Sequence, residues 1–267
     1  MIHAVYTGMF GSVAFNPLYF DPFCGEYDTT KFVGHWTPAL QIYEATMAVK
    51  TPPGAGEGYN LMMYSQDVQT GNTIVLSGDT DTSVRGDVTG LWADCTDPAS
   101  FKSSAARSTN IGTPVFQPGM VAYVCQCNAI DPAMNFHFAG HENNGWTLST
   151  SWRYTTFYKA GNTTTTESTA QTIWPVTGTL KYVRIRYISS CTVLPHDVNL
   201  RIRIDGADTA MAYVLPSYAT TAPHLYDDTT TEVPISAGQL ASIGYQRSSA
   251  TGVAVFTASI AVGFISD

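Results

Sequence analysis

Two stretches 139 positions apart spell the same hairpin, and that repeat constrains the fold more than any other feature of the sequence. Residues 59–76 (YNLMMYSQDVQTGNTIVL) lie over residues 198–215 (VNLRIRIDGADTAMAYVL) without a gap. Asn60 matches Asn199, Leu61 matches Leu200, Thr70 matches Thr209, and Val75-Leu76 matches Val214-Leu215. Ahead of the hairpins, residues 40–49 (LQIYEATMAV) fall near residues 180–187 (LKYVRIRY), preceded by Trp36 and Trp174. Behind them, 119–124 falls on 238–243 and 133–138 on 252–257, now at a shift of 119, so the first copy is expected to carry about 20 extra residues. The chain therefore reads as two homologous domains, 1–140 with an inserted loop near 77–118, and 141–267.

Apolar and polar residues alternate with a period of two through both hairpins, as in Leu200, Ile202 and Ile204 against Asn199, Arg201 and Arg203. Turn pairs such as Pro53-Gly54 and Asp205-Gly206 interrupt the runs at short intervals. Residues 40–49 also satisfy a helical spacing through Leu40, Tyr43 and Met47, but the β-branched, alternating counterpart at 180–187 argues for a strand. The expected class is all-β: two tandem antiparallel β-sandwich domains with room for the eight strands of a jelly roll in each.

Hydrophobic residues make up 44% of the chain and charged residues only 13%, about half the usual share, so Thr, Ser, Asn, Gln and Gly must build much of the surface. The net charge of −8 argues against nucleic acid or an anionic membrane as partner. It divides unequally: residues 1–140 hold 5 Lys and Arg against 12 Asp and Glu, residues 141–267 hold 8 against 9. The first residues lack a basic, then apolar leader, and no run reaches 18 apolar residues, so a soluble chain not exported by the usual route is expected. Five cysteines at irregular spacing make a poor disulfide framework, and free thiols are expected.

The ordered blocks LxxVRIRY, VNLRIRIDGADTA, TTTEVPISAGQLASI and GVAVFTASIAVGF resemble the jelly-roll module, similar in fold to tumour necrosis factor and C1q domains, of tailed-phage head-fibre, decoration and tail-fibre proteins. The likeness covers most of the second copy. In the first copy it is carried by residues 52–78. It implies a fold and trimeric assembly, and it implies no catalytic residues.

Candidate chemistry is sparse. Asp79, Asp81 and Asp87 space carboxylates as a calcium loop would, without the glutamate of an EF-hand. Arg85-Gly86-Asp87 is a short adhesion-like tripeptide. His137 and His141 would face one way on a helix, but the strand pattern separates them. No G-x-S-x-G elbow, phosphate loop or dinucleotide fingerprint occurs, so no enzyme activity is expected. Phe15, Tyr19, Phe20 and Phe23 crowd around Pro17 and Pro22 and are candidates for an assembly interface. Trp92, on the expected inserted loop, is a candidate ligand contact for a sugar or protein partner.

These features lead to the expectation of a virion structural protein of a tailed bacteriophage, made in the host cytoplasm. It would act as a capsid decoration or head-fibre homotrimer docked on other virion proteins, such as the major capsid protein or a fibre. Two alternatives are a receptor- or carbohydrate-binding fibre tip and a subunit of an extracellular filament or tube. No cofactor is expected unless the Asp79 loop takes calcium.

Overall fold

A period of two in Val, Ile, Leu and Tyr favours strands that bury one face, and strands are what both halves of the chain form. The computed structural model describes residues 4–13, 18–20, 27–28, 40–65, 68–92, 104–112, 117–127, 133–141, 146–157, 163–192, 196–250 and 254–267. The chain divides into two compact units whose boundary along the sequence falls between Ala133 and Met134.

The first unit runs β1 (Ala4–Val13), β2 (Leu18–Phe20), β3 (Tyr27–Asp28), β4 (Leu40–Val49), β5 (Gly54–Ser65), β6 (Val68–Gly78), β7 (Ser83–Trp92), β8 (Ser104–Ile111) and β9 (Gln117–Cys127). One sheet has the order β1-β9-β4-β7, the other β3-β2-β8-β5-β6. The second unit runs β10 (Asn135–His141), β11 (Arg153–Thr155), β12 (Thr172–Ile173), β13 (Gly178–Cys191), β14 (Asp197–Ile204), β15 (Ala207–Pro216), β16 (His224–Asp228), β17 (Val233–Ile235), β18 (Leu240–Arg247) and β19 (Ala254–Ser266). Its sheets are β10-β19-β13-β16, with β17 also on β13, and β11-β18-β14-β15, with β12 also on β18.

Apart from β3, β12 and β17, the second order repeats the first, β10 standing where β1 stands, β13 where β4 stands, β14-β15 where β5-β6 stand and β19 where β9 stands. All described pairs of these strands are antiparallel. Each sheet draws strands from both ends of its unit.

The irregularities repeat as well. In β4 one residue, Tyr43, is bulged out against β9, so that Ile42 faces Cys125 and Glu44 faces Val124. In β13 the same happens at Lys181, with Leu180 facing Phe264 and Tyr182 facing Gly263. Both hairpins slip alike: Leu61 faces Ile74 but Met63 faces Thr70, and Arg201 faces Ala212 but Arg203 faces Asp208. A bulge disrupts the ladder, and nothing in a period-two pattern demands one at the same place twice.

This topology corrects the sequence alignment behind the hairpins. Residues 119–124 lie in β9 and 238–243 mostly in β18, which occupy different places in their units. Residues 133–138 do not close the first copy; they lead into β10, which pairs with β19 in the second unit. The stretch 77–118 is no insertion, since it holds β7 and β8, and the matching stretch of the second unit, from Pro216 to Ala254, is of nearly equal length and holds β16, β17 and β18.

In the second unit the core lies between the two sheets, where Val183, Ile185, Ile260 and Val262 meet Val198, Leu200, Ile202, Met211, Leu215 and Ile243. Each such side chain contributes about 1.5–3 kcal/mol by leaving water. In the first unit Ala45, Met47 and Val49 of β4 and Tyr59, Leu61, Ile74 and Leu76 of β5 and β6 are buried. A Cβ on Gly86 of β7 would lie 2.4 Å from Ile74 Cγ2, so the two sheets touch there with no space for a side chain.

Candidate functional site

The outer face of β14 is where this chain gathers charge. With Leu200 and Ile202 turned into the core, alternation turns Arg201 and Arg203 out. The hairpin returns through Asp205 (φ 50°) and Gly206 (φ 79°), and two successive positive φ values make a type I′ turn, which twists with the strands it joins. That turn brings Asp208 back beside both arginines, and Asp208 pairs with each. Arg203 also donates to the Gly206 carbonyl and reaches Glu167 Oε1 at 2.8 Å, where Ser242 Oγ donates at 2.8 Å to the same oxygen. Glu167 comes from a short 3-10 turn, Glu167–Thr169.

Two aromatic rings complete the cluster. The Arg201 guanidinium lies 4.6 Å from the centre of the Trp152 ring, and that of Arg203 lies 5.8 Å from Tyr154. Gly244 makes room beneath them: a Cβ there would meet Arg203 Cδ at 3.1 Å and both Trp152 and Tyr154 at 3.4 Å. Hydrogen bonds from Leu240 N–H and then the Gln239 amide, both at 2.8 Å, hold the Asp205 carboxyl below the usual range and tie the turn to the next strand. The charges are thus largely engaged with one another. Such a network fixes the hairpin and offers an aromatic and guanidinium surface to solvent.

A second group of ionisable residues lies at the end of β13. Tyr218 stacks on His224 with ring centres 3.6 Å apart, and His224 lies 5.7 Å from Tyr187. Burial, then Tyr218, raises the Tyr187 hydroxyl. His196 is fully buried and neither ring nitrogen has a hydrogen-bond partner among the described residues. Burial and then the Arg247 charge lower its pKa. His137 packs 4.4 Å from Trp174 and 5.6 Å from Phe264, and burial lowers it to about 3.

The residues singled out in the sequence are scattered over the first unit. Phe15 and Phe23 lie outside the described residues. Tyr19 and Phe20 lie in β2, whose backbone pairs on one side with β3 and on the other with β8. Trp92 is not on an inserted loop; it ends β7 opposite Leu40. Asp79 and Asp81 are exposed in the β6–β7 connection, but Asp87 does not share that loop: it lies within β7, opposite Glu44. Arg85 of the adhesion-like tripeptide pairs with Glu44, Nε donating at 2.9 Å. Among the described residues no group of three His, Cys, Asp or Glu side chains could hold a metal ion, and no helix is long and apolar enough to cross a membrane. His137 and His141 lie four residues apart in the extended β10, about 13 Å along the strand.

No protein-family model and no curated protein matches this chain. Among solved structures it is similar to dimeric latent PorU from Porphyromonas gingivalis (8% identity, TM-score 0.36, 86% of this chain and 25% of that one). It is also similar to PNGF-II (10%, 0.29, 99% and 66%) and to the VP2 subviral particle of infectious bursal disease virus (10%, 0.30, 100% and 72%). The chain spans a quarter of PorU and under two thirds to three quarters of the others. At these TM-scores none bears on function.

The cluster on β14 was half visible in the sequence. Alternation gives Arg201 and Arg203 an outward face, and Asp208 follows from the hairpin register. Glu167 and Trp152 reach the same face from 36 and about 49 residues upstream, and no local pattern announces that.

Proposed function

We propose that this chain is a structural subunit of a virus particle, acting by self-assembly and docking rather than by catalysis. The observation that carries the proposal is the doubled unit: two sets of sheets with one strand order and the same bulges at corresponding places. Shared bulges point to tandem duplication of one module, and a duplicated module doubles the surface a subunit offers to its neighbours. The low share of charged residues supports a protein that sits in a dense assembly, where hydroxyl and amide groups replace ion pairs. The finer assignment follows the family resemblance: a decoration or head-fibre protein of a tailed bacteriophage, made in the host cytoplasm, with three chains in the native particle.

Light scattering on the purified protein tests this. A stable species of three chains is the expected result, and a monomer at every concentration overturns it. One observation favours a second reading, recognition of an anionic glycan, since Trp152 and Tyr154 present rings beside Arg201 and Arg203 on an outer face.

A further inference from the structure

We propose that Arg201 is the seat for the carboxylate of a uronic acid sugar, and that the outer face of β11, β18, β14 and β15 is the platform on which that sugar lies. This rests on the glycan reading above and names the ligand's acidic group and the side chain that takes it.

Three arginines of the second unit differ in which donors are engaged. Each nitrogen of Arg203 has an acceptor: Nε donates to Glu167, Nη1 to Asp208 and Nη2 to the Gly206 carbonyl. Arg184, on the other sheet, turns the fork of Nε and Nη2 toward one carboxylate, Asp227, at 2.8 and 3.0 Å. Arg201 donates through Nη1 to Asp208, while its Nε and Nη2, the fork that Asp227 fills on Arg184, meet no acceptor among the described residues. The Arg201 side chain is 36% exposed, against 15% for Arg203. One planar two-donor fork is therefore open to solvent, and a carboxylate matches it by two parallel hydrogen bonds. Asp208 and the Trp152 ring, 4.6 Å from the guanidinium, hold that fork in place, so little side-chain freedom is lost when a ligand arrives.

Register sets what lies beside the fork. Asn199, two residues before Arg201 on the same face, is opposite Gln246 of β18 on one side and Val214 of β15 on the other. Arg201 itself is opposite Gly244 and Ala212. Opposite residues stand about 5 Å apart and alternate residues of a strand about 7 Å apart, so this group spans roughly one sugar ring. The Asn199 and Gln246 side chains are partly exposed and hydrogen-bond to no described residue. An amide donates and accepts, as neighbouring hydroxyls do, and the exposed Val214 and Ala212 offer contact to the C–H face of a ring. An acidic peptide joins a sheet through edge backbone, whereas these donors stand on the face. The charges of Arg201 and Arg203 are matched by Asp208 and Glu167, so no net positive field gathers a densely sulfated chain. Selection rests on the geometry of one fork, which suits one carboxylate per sugar.

Isothermal titration of the full chain tests this with galacturonate, alginate and hyaluronan oligosaccharides, beside methyl-esterified galacturonate, heparin oligosaccharides and a polyglutamate peptide. At least one uronate series is expected to bind. Arg201→Lys, which keeps the charge and loses the fork, is expected to weaken that binding about tenfold or more. Asn199→Ala and Gln246→Ala are expected to weaken it about twofold to fivefold each, and Arg85→Lys in the first unit to leave it unchanged. Thermal melting verifies that each variant folds. If galacturonate is the series bound, its methyl ester is expected to bind about tenfold more weakly or worse, and an ester bound equally well overturns the carboxylate. Uronate binding that Arg201→Lys leaves intact, or that Arg85→Lys weakens as much, overturns the seat and leaves the glycan reading standing. Heparin bound more tightly than every uronate overturns the carboxylate in favour of sulfate. Polyglutamate bound as tightly as the best uronate overturns the sugar and assigns the fork to an acidic peptide. Binding of none of these probes overturns both the seat and the glycan reading, and leaves the assembly reading untouched.

Discussion

The hairpins β5-β6 and β14-β15 share a backbone and differ in how they hold it. Both close with two residues between paired ends, Ser65 facing Val68 and Ile204 facing Ala207, and both slip at the same place. Leu61 and Leu200, then Leu76 and Leu215, fill corresponding buried positions. Above that common frame, β14 carries Arg201 and Arg203 where β5 carries Met62 and Tyr64, close to the same register. The core pattern is the same and the outer face differs. A sandwich strand allows this, because its two faces are read by different neighbours and one can change without disturbing the other.

The hardest test of the equivalence lies in the core. Leu61→Ala and Leu200→Ala each remove a buried side chain from the same place in the two units, and each is expected to cost about 2–5 kcal/mol. Urea unfolding measures both. Costs within about 1 kcal/mol of each other support two equivalent sandwiches; a cost below about 1 kcal/mol for Leu61→Ala means that its surroundings are not those of Leu200.

What the sequence made legible has a physical boundary. The hairpins and the β4/β13 pair were readable because a period of two beside a turn is a local signal. The strands after them were not, because every half-buried strand has that period and the pattern does not say which strand it is. Residues 119–124 could therefore be laid on 238–243 although one run belongs to β9 and the other mostly to β18. β7 and β8 were read as an insertion for a related reason. Gly86 stands where Ile74 excludes any side chain, and SAARSTNI is almost all small or polar, so neither strand shows an apolar stripe. At the β14 cluster, local alternation gave the arginines, and only tertiary structure supplied Glu167, Trp152 and Tyr154.

Acid should separate the two units next. His137, His196 and His224 belong to the second unit, and burial is the main cause holding each below its ordinary value. His137, at about 3 in the fold and near 6.5 when unfolded, takes its proton first in the unfolded chain. Its contribution is complete above pH 6.5 and drains away as pH falls from 6.5 toward 3, by roughly 1.4 kcal/mol per pH unit while it titrates. Melting curves between pH 7.5 and pH 4 are expected to show the second unit losing stability, and His137→Phe is expected to flatten that slope by about one proton. An unchanged slope in the variant assigns the loss to other groups.

The finest contrast concerns two ion pairs. Arg203 and Glu167 have side chains only 15% and 16% exposed, and Glu167 also accepts from Ser242. Glu167→Gln removes the charge that two donors share in a site poor in water, so about 1–3 kcal/mol is expected, little altered by salt. Arg85 and Glu44 in the first unit are exposed to 67% and 35%, where water screens the attraction and two flexible side chains must be ordered to gain it. Arg85→Ala is therefore expected to cost less than about 0.5 kcal/mol, and that little should vanish in high salt. The difference is one of burial rather than chemistry, since each pair joins an arginine to a glutamate. If Arg85→Ala proves as costly as Glu167→Gln at low and high salt alike, the guanidinium is holding something besides Glu44. The Arg85-Gly86-Asp87 stretch of β7 would then have a structural role in its own right, with Gly86 seated against Ile74 and Asp87 opposite Glu44.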